Sequence, residues 1–146
     1  MLKSILWSVV GIGTGIATAM VFIIAVEIIT PALWPFPEGA DPHDIEACKT
    51  YCAALPPGAS LLASSGWGLA VFLSSWVATR VGANRHPAHG IALGSLLFLA
   101  AVANMLMLPY PVLFWAANLS VLPVGLIAGP MLGKLPARPP ADNAVA

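Results

Sequence analysis

The stretch from residue 5 to residue 29, ILWSVVGIGTGIATAMVFIIAVEII, decides the class of fold. Its only charged residue is Glu27, and most of the rest are apolar or small. About 20 predominantly apolar residues in a helix are enough to cross the hydrocarbon core of a bilayer. The stretch therefore predicts a membrane-spanning helix rather than a helix of a soluble domain.

Three further apolar stretches follow, at about residues 60–79, 90–108 and 111–133. Arg80 ends the second span, and Pro109 and Pro111 separate the third from the fourth, since proline removes an amide donor and disfavours helix before it. The chain is 59% hydrophobic and 8% charged, whereas an average soluble domain is about 25% charged. Its mean hydropathy is +0.89. We therefore predict an all-α fold, an integral membrane antiparallel four-helix bundle over residues 1–133.

A signal peptide is the alternative interpretation of the first stretch. Lys3 precedes it, and Ala17-Thr18-Ala19 resembles a cleavage site. The apolar segment of a signal peptide is normally about 7–15 residues long, whereas this one continues to Val26. Its length favours an uncleaved helix.

Basic residues predict the orientation of the bundle. In a four-span arrangement one side of the membrane carries Lys3, Arg80, Arg85, Lys134 and Arg138, and the other carries only Lys49. Cytoplasmic segments are enriched in lysine and arginine. We therefore expect both termini in the cytoplasm and the loop at residues 30–59 outside. Residues 134–146 are rich in proline and alanine and are expected to form a disordered cytoplasmic tail.

The external loop is predicted to contain one short amphipathic helix. Asp41 is expected to cap its N-terminus, with Pro42 at the first helical position. An apolar stripe follows at helical spacing. It consists of Ile45, Cys48, Cys52 and Leu55. We expect this helix to lie on the outer membrane surface or over the mouth of the bundle.

The two cysteines allow three interpretations. They are small hydrophobic residues packed on the bundle, or they form a disulfide, or they bind a metal together with His43. Side chains four residues apart on a helix have Cβ atoms about 5–6 Å apart, whereas a disulfide needs about 3.5–4.5 Å. A Cys48–Cys52 disulfide within the helix would therefore be strained. Three ligands at irregular spacing are a weak metal signal, so packing is favoured and no metal is expected.

Small residues form stripes on two of the predicted spans. Gly11, Gly15 and Ala19 recur on the first, and Gly125, Gly129 and Gly133 on the fourth. Helices in lipid associate through close contact of small residues. The stripes are expected to pack the bundle on its cytoplasmic side, and homodimerisation through one of them is the alternative.

Polar side chains gather in the opposite half of the spans. Glu27, Asn104, Asn118 and Ser65 all fall toward the outer ends. A carboxylate in hydrocarbon is costly and should turn inward or reach water. We therefore predict a binding site in a cavity open to the outside, with Glu27 at its mouth. The alternative is that Glu27 reaches headgroup water or bonds to Asn104 without further function.

A series of short motifs runs along the chain. They are Val26-Glu27, Trp34-Pro35-Phe36-Pro37-Glu38-Gly39, Asp41-Pro42 with Asp44, Leu55-Pro56-Pro57-Gly58-Ala59, Asn104, Pro109-Tyr110-Pro111 and Phe114-Trp115. In these motifs the chain resembles a group of small, uncharacterised four-span bacterial inner-membrane proteins. The resemblance covers most of residues 5–133, and it implies an inner-membrane location but no activity. The cysteines are not part of the pattern.

Two functions follow from these features. The first is an accessory or interaction protein of the membrane. The second is a small transporter or binding protein for a proton, a cation or a lipid that uses Glu27. An enzyme is not expected, because the serines of the spans lack a histidine or aspartate partner there, and no cofactor is expected either. The predicted partner is the lipid bilayer, with another membrane protein or a second copy of the chain as a further candidate. The formal net charge of +0 argues against a nucleic-acid partner.

Overall fold

The computed structural model describes residues 2–39, 41 and 43–136. This part of the chain is helical and contains no strand, as predicted. Four helices are long and apolar enough to cross a membrane, which confirms the predicted number. The five α-helices are α1 (Leu2–Leu33), α2 (Ile45–Ala53), α3 (Pro57–Val81), α4 (Ala88–Met107) and α5 (Val112–Gly133). Arg138 and the predicted tail beyond residue 136 lie outside the described residues.

The first three long helices extend beyond their predicted spans. Helix α1 passes through Pro31 and reaches Leu33, whereas the prediction ended it at residue 29. Helix α3 begins at Pro57, where the missing amide hydrogen would have had no helical partner. Helix α4 includes His89, which the prediction had placed in the preceding loop. The segment between α1 and α3 is therefore shorter than predicted.

Helix α3 lies at the centre of the structure and contacts α1, α4 and α5. The contacts with α1 and α5 are close because glycines face α3. A Cβ atom built at Gly11 would lie 2.6 Å from the Cα atom of Gly82, and one at Gly129 would lie 2.5 Å from the carbonyl oxygen of Phe72. No side chain fits in either gap. The two glycine stripes therefore pack the helices of one chain together.

The pairing of residues gives the relative directions of the helices. Gly11 faces Gly82 at one end of the α1–α3 contact. Gly66 faces Val26 at the other end, so residue numbers rise along α1 as they fall along α3. On the other side of α3, Gly68 faces Val121 and Gly133 faces Thr79, so α3 and α5 run the same way.

Helix α1 is the least buried of the four long helices. In its most apolar window 22% of residues are buried, against 44% for α3. Most of its surface is aliphatic, and Val9, Val21 and Ile28 are each more than 60% exposed. Exposed apolar surface on this scale marks a contact with lipid or another protein.

Candidate ligand-binding cavity

A cavity of about 440 Å³ lies where the later part of α1 meets α2, α3 and the turn between α4 and α5. Ligand pockets usually measure about 300–1,000 Å³. The polar residues in its wall come from four different parts of the chain: α1, α2, α4 and the turn before α5. These residues are Glu27, Thr30, Cys48, Tyr51, Cys52, Asn104 and Tyr110. The fold therefore gathers groups that are far apart in sequence around one space.

Glu27 supplies a carboxylate to this cavity. Its side chain is exposed. Lys49 is the only lysine or arginine that forms an ion pair within the described residues, and its partner is Glu46 rather than Glu27. Pro31, four residues after Glu27 and also in the cavity wall, has no amide hydrogen, so the backbone carbonyl of Glu27 loses its helical donor. The carboxylate and the backbone carbonyl of Glu27 are thus both left without their usual partners.

Aromatic rings form a second part of the wall. The rings of Tyr110 and Phe114 stack with centroids 4.1 Å apart, and Trp67 meets Phe114 edge-to-face at 5.6 Å. The Tyr110 hydroxyl donates to Oδ1 of Asn104 at 3.1 Å. The amide oxygen of Asn104 is therefore bonded to Tyr110. Within the described residues Asn104 forms no hydrogen bond with Glu27, which was the alternative interpretation.

Helix α2 lines the cavity and is bonded to the segment that follows α1. The Tyr51 hydroxyl donates to the backbone carbonyl of Trp34 at 2.7 Å. The Tyr51 ring stacks on Phe36 with centroids 4.1 Å apart. Cys52 is 7% exposed on the side facing the cavity, whereas Ile45 is 52% exposed.

The predicted N-cap of α2 was wrong. Asp44 caps the helix, with its side chain accepting from the amide of Glu46. Asp41 accepts instead from the amide of His43, in a turn before the helix. The helix begins later because Asp44 also suits this role and leaves the Asp41 turn intact. Pro42 lies outside the described residues.

The Cys52 thiol in the wall is not activated. Burial raises the pKa of the Cys52 thiol, although its hydrogen bond with Tyr110 acts in the opposite direction. Burial also raises the pKa of Tyr110. Since the thiolate is the reactive form, Cys52 is a poor nucleophile here. Cys48 and Cys52 are not joined in a disulfide in the structure, and no group of three potential ligands for a metal forms within its described residues.

The structure brings together two of the four residues predicted for the site. Glu27 and Asn104 line the cavity. Asn118 is buried elsewhere, where its Nδ2 donates to Oγ of Ser64 at 2.8 Å and to the carbonyl of Phe114 at 2.9 Å. Ser65 is exposed on the other face of α3, because neighbouring residues of a helix do not share a face.

A smaller apolar chamber lies next to the cavity, toward the middle of the helices. It measures about 150 Å³ and is lined by Ile23, Val71, Ala100, Ala101 and Leu122 among others. Trp67 and Asn104 line both spaces. An apolar cavity of about 150 Å³ is large enough for benzene.

Comparison of the chain with protein-family models, with curated proteins and with solved structures finds no match. The resemblance to small four-span bacterial membrane proteins therefore stays a prediction.

The wall of the cavity therefore places a carboxylate near aromatic faces and next to an apolar space. A carboxylate and aromatic faces attract a cation, and the adjoining chamber accepts an apolar group.

Proposed function

We propose that this membrane protein binds a small organic cation in a cavity on the external side of a bacterial inner membrane. In this proposal the four long helices form an antiparallel bundle with both termini in the cytoplasm. The opposite directions of α1 and α3 and the shared direction of α3 and α5 support that arrangement. The grouping of Lys3, Arg80 and Arg85 at one end supports the orientation. Helix α2 acts as an amphipathic cover over the cavity.

The observation that carries the proposal is the placement of Glu27. Its carboxylate lines the cavity, and neither lysine nor arginine is among the lining residues. The Glu27 carbonyl, left without a helical donor by Pro31, adds a second acceptor. An ionisable group within a membrane-spanning helix usually serves a function. A positively charged ligand supplies the missing partner.

Aromatic side chains and the chamber narrow the ligand to an organic cation. Aromatic faces bind quaternary and substituted ammonium groups through cation–π attraction. The rings of Tyr110, Phe114 and Trp67 lie in the same wall as Glu27. The chamber beyond Trp67 is lined almost wholly by apolar side chains, so it suits a benzene-sized group better than a hydrated metal ion.

Binding of benzyltrimethylammonium to the purified protein tests the proposal, measured by quenching of tryptophan fluorescence. A hydrogen bond or contact with a charged group contributes about 1.5–3 kcal/mol, which corresponds to a change in affinity of about 10- to 100-fold. Glu27→Gln should therefore weaken binding at least tenfold. Glu38→Gln removes the same charge from an exposed external position outside the cavity and should change binding little.

Equal affinity of the wild-type protein and Glu27→Gln would show that the carboxylate does not recognise the cation. Tetramethylammonium serves as the matched ligand without an apolar group. If it binds as well as benzyltrimethylammonium, the chamber takes no part in recognition.

An accessory role is the second candidate, and the exposure of α1 favours it. Helix α1 packs mainly on α3, and its remaining aliphatic surface is free for a partner protein. The glycine stripes, for which homodimerisation was the alternative interpretation, are occupied by contacts with α3. Native mass spectrometry in mild detergent separates the candidates, because a stoichiometric protein partner retained in Glu27→Gln supports the accessory role.

A further inference from the structure

A second pocket, of about 550 Å³, lies at the opposite end of the bundle from the ligand cavity. Its wall is formed by the first turns of α1 and by the end of α3 with the loop that follows. Three side chains that are positively charged at neutral pH line it: Lys3, Arg80 and Arg85. Lys3 is separated in sequence from the two arginines, so the fold brings the charges to one place.

No carboxylate balances these charges within the part of the chain that the structure describes. None of the acidic residues there lies in the pocket wall. They occur in the second half of α1 and in the external segment: Glu27, Glu38, Asp41, Asp44 and Glu46. Like charges that converge without a counter-charge repel one another, and a bound anion relieves that repulsion.

Two contacts hold the pocket in shape. Gly11 of α1 meets Gly82 of the loop so closely that a Cβ atom on Gly11 would lie 2.6 Å from the Gly82 Cα atom. The ring nitrogen Nε2 of His89 lies 2.9 Å from the Ser8 hydroxyl oxygen. The beginning of α1 therefore contacts both the loop and α4, and these contacts hold the turn that carries Lys3 in the wall of the pocket.

The loop itself adopts an unusual backbone. Asn84 and Arg85 have φ angles of 54° and 51°, in the left-handed region that residues other than glycine seldom occupy. Such conformations persist where the surrounding structure imposes them and often mark functional positions. Arg80 is also anchored, because its guanidinium donates to the backbone carbonyl of Leu135.

We propose that this basic pocket binds the phosphodiester headgroup of an anionic phospholipid from the cytoplasmic leaflet. Basic pockets at the cytoplasmic ends of membrane helices suit such headgroups. Trp7 lines the pocket, and tryptophan prefers the headgroup level of a bilayer. Leu2 and Leu6 are 82% and 59% exposed on the same turns of α1, which provides an apolar surface for the acyl chains. The inference depends on the proposed orientation but not on ligand binding at Glu27.

Native mass spectrometry of the full chain with added phosphatidylglycerol or phosphatidylethanolamine tests the proposal. The wild-type protein should retain phosphatidylglycerol preferentially, because the ammonium of phosphatidylethanolamine is repelled by the pocket. Lys3→Gln and Arg85→Gln should each reduce retention at least tenfold. Lys134→Gln is the matched control, since it removes a positive charge at the same end of the bundle from an exposed residue outside the pocket. A charge acting only through the general surface potential should change retention by about fivefold or less.

Arg85→Lys keeps the charge and should restore most of the retention, which separates loss of charge from loss of structure. Equal losses in Lys3→Gln and Lys134→Gln would overturn the proposal in favour of diffuse surface charge. Thermal stabilisation by inorganic phosphate as strong as that by phosphatidylglycerol would overturn it in favour of a free anion.

Discussion

Replacing Gly129 by alanine tests the close contact of α5 with α3. A Cβ atom at Gly129 would lie 2.5 Å from the carbonyl oxygen of Phe72 and 3.0 Å from the Cβ atom of Ser75. The oxygen belongs to the backbone of α3 and cannot rotate away. The added methyl group therefore has to push the two helices apart.

The expected cost follows from that displacement. A separation of roughly 0.5–1 Å loses about a quarter of the attraction between neighbouring atoms, so about 50 atom pairs at about 0.15 kcal/mol each lose about 2 kcal/mol. Alanine recovers up to about 1 kcal/mol relative to glycine through helix propensity. Gly129→Ala should therefore lower the free energy of unfolding by about 1–2 kcal/mol.

Gly13→Ala is the matched control on α1. Its added Cβ atom would meet nothing within 4 Å, so this variant should be neutral or stabilised by up to about 1 kcal/mol. Unfolding in mixed micelles, followed by circular dichroism during titration with sodium dodecyl sulfate, measures both. If the two variants change the free energy of unfolding by the same amount and with the same sign, the backbone contact between α5 and α3 does not exist.

Three further predictions concern the external segment and the orientation. Burial raises the pKa of Cys52, so N-ethylmaleimide should alkylate Cys52 at about pH 8 more slowly than an unperturbed cysteine, and the rate should increase at higher pH. An alkylation rate equal to that of a small thiol would contradict the raised pKa. Tyr51→Phe removes the hydroxyl that donates to the carbonyl of Trp34. The lost hydrogen bond is worth about 1 kcal/mol, so amide hydrogen exchange in α2 should become about fivefold faster. Unchanged exchange would show that this hydrogen bond does not hold α2 in place. In a variant without the native cysteines, a membrane-impermeant maleimide should label Glu38→Cys in intact cells and Asn84→Cys only after lysis; the reverse pattern would invert the proposed orientation.

The sequence predicted the helices well because lipid imposes a simple rule on composition. A span must be long and apolar, and the stretches near residues 5–29 and 111–133 satisfy this without any detail of packing. The ends were harder to place. Pro31 lies inside α1, where local propensity predicted an exit from the helix, and Asp41 and Asp44 had equally suitable side chains for the N-cap of α2. The tertiary structure, and not local sequence preference, decides which of these two aspartates caps the helix.

The cavity could be predicted only in part. The depth of Glu27 and Asn104 along their spans indicated a shared outer region, and depth is readable from residue counts. The face of α3 on which a serine lies is harder to predict from the sequence, because α3 carries apolar or small residues on all sides. In the structure Ser64 rather than Ser65 contacts Asn118. Tyr110 and Tyr51 were not predicted as part of the site. The position of Tyr110 between Pro109 and Pro111, in the turn before α5, was the pattern that could have predicted its place in the site.

The uneven distribution of close backbone contacts has a consequence for how this chain can evolve. Gly11, Gly129 and Gly133 meet backbone or rigid neighbours near the proposed cytoplasmic end, so selection for folding should act most strongly there. The proposed ligand cavity is lined instead by side chains from α1, α2, α3 and the turn before α5. Among them Val26 also faces Gly66, whereas Glu27 and Tyr110 are not neighbours of any of these glycines and can change without disturbing the glycine contacts. A lineage carrying this fold could therefore acquire new ligand preferences at the proposed external end while the proposed cytoplasmic end stays constant.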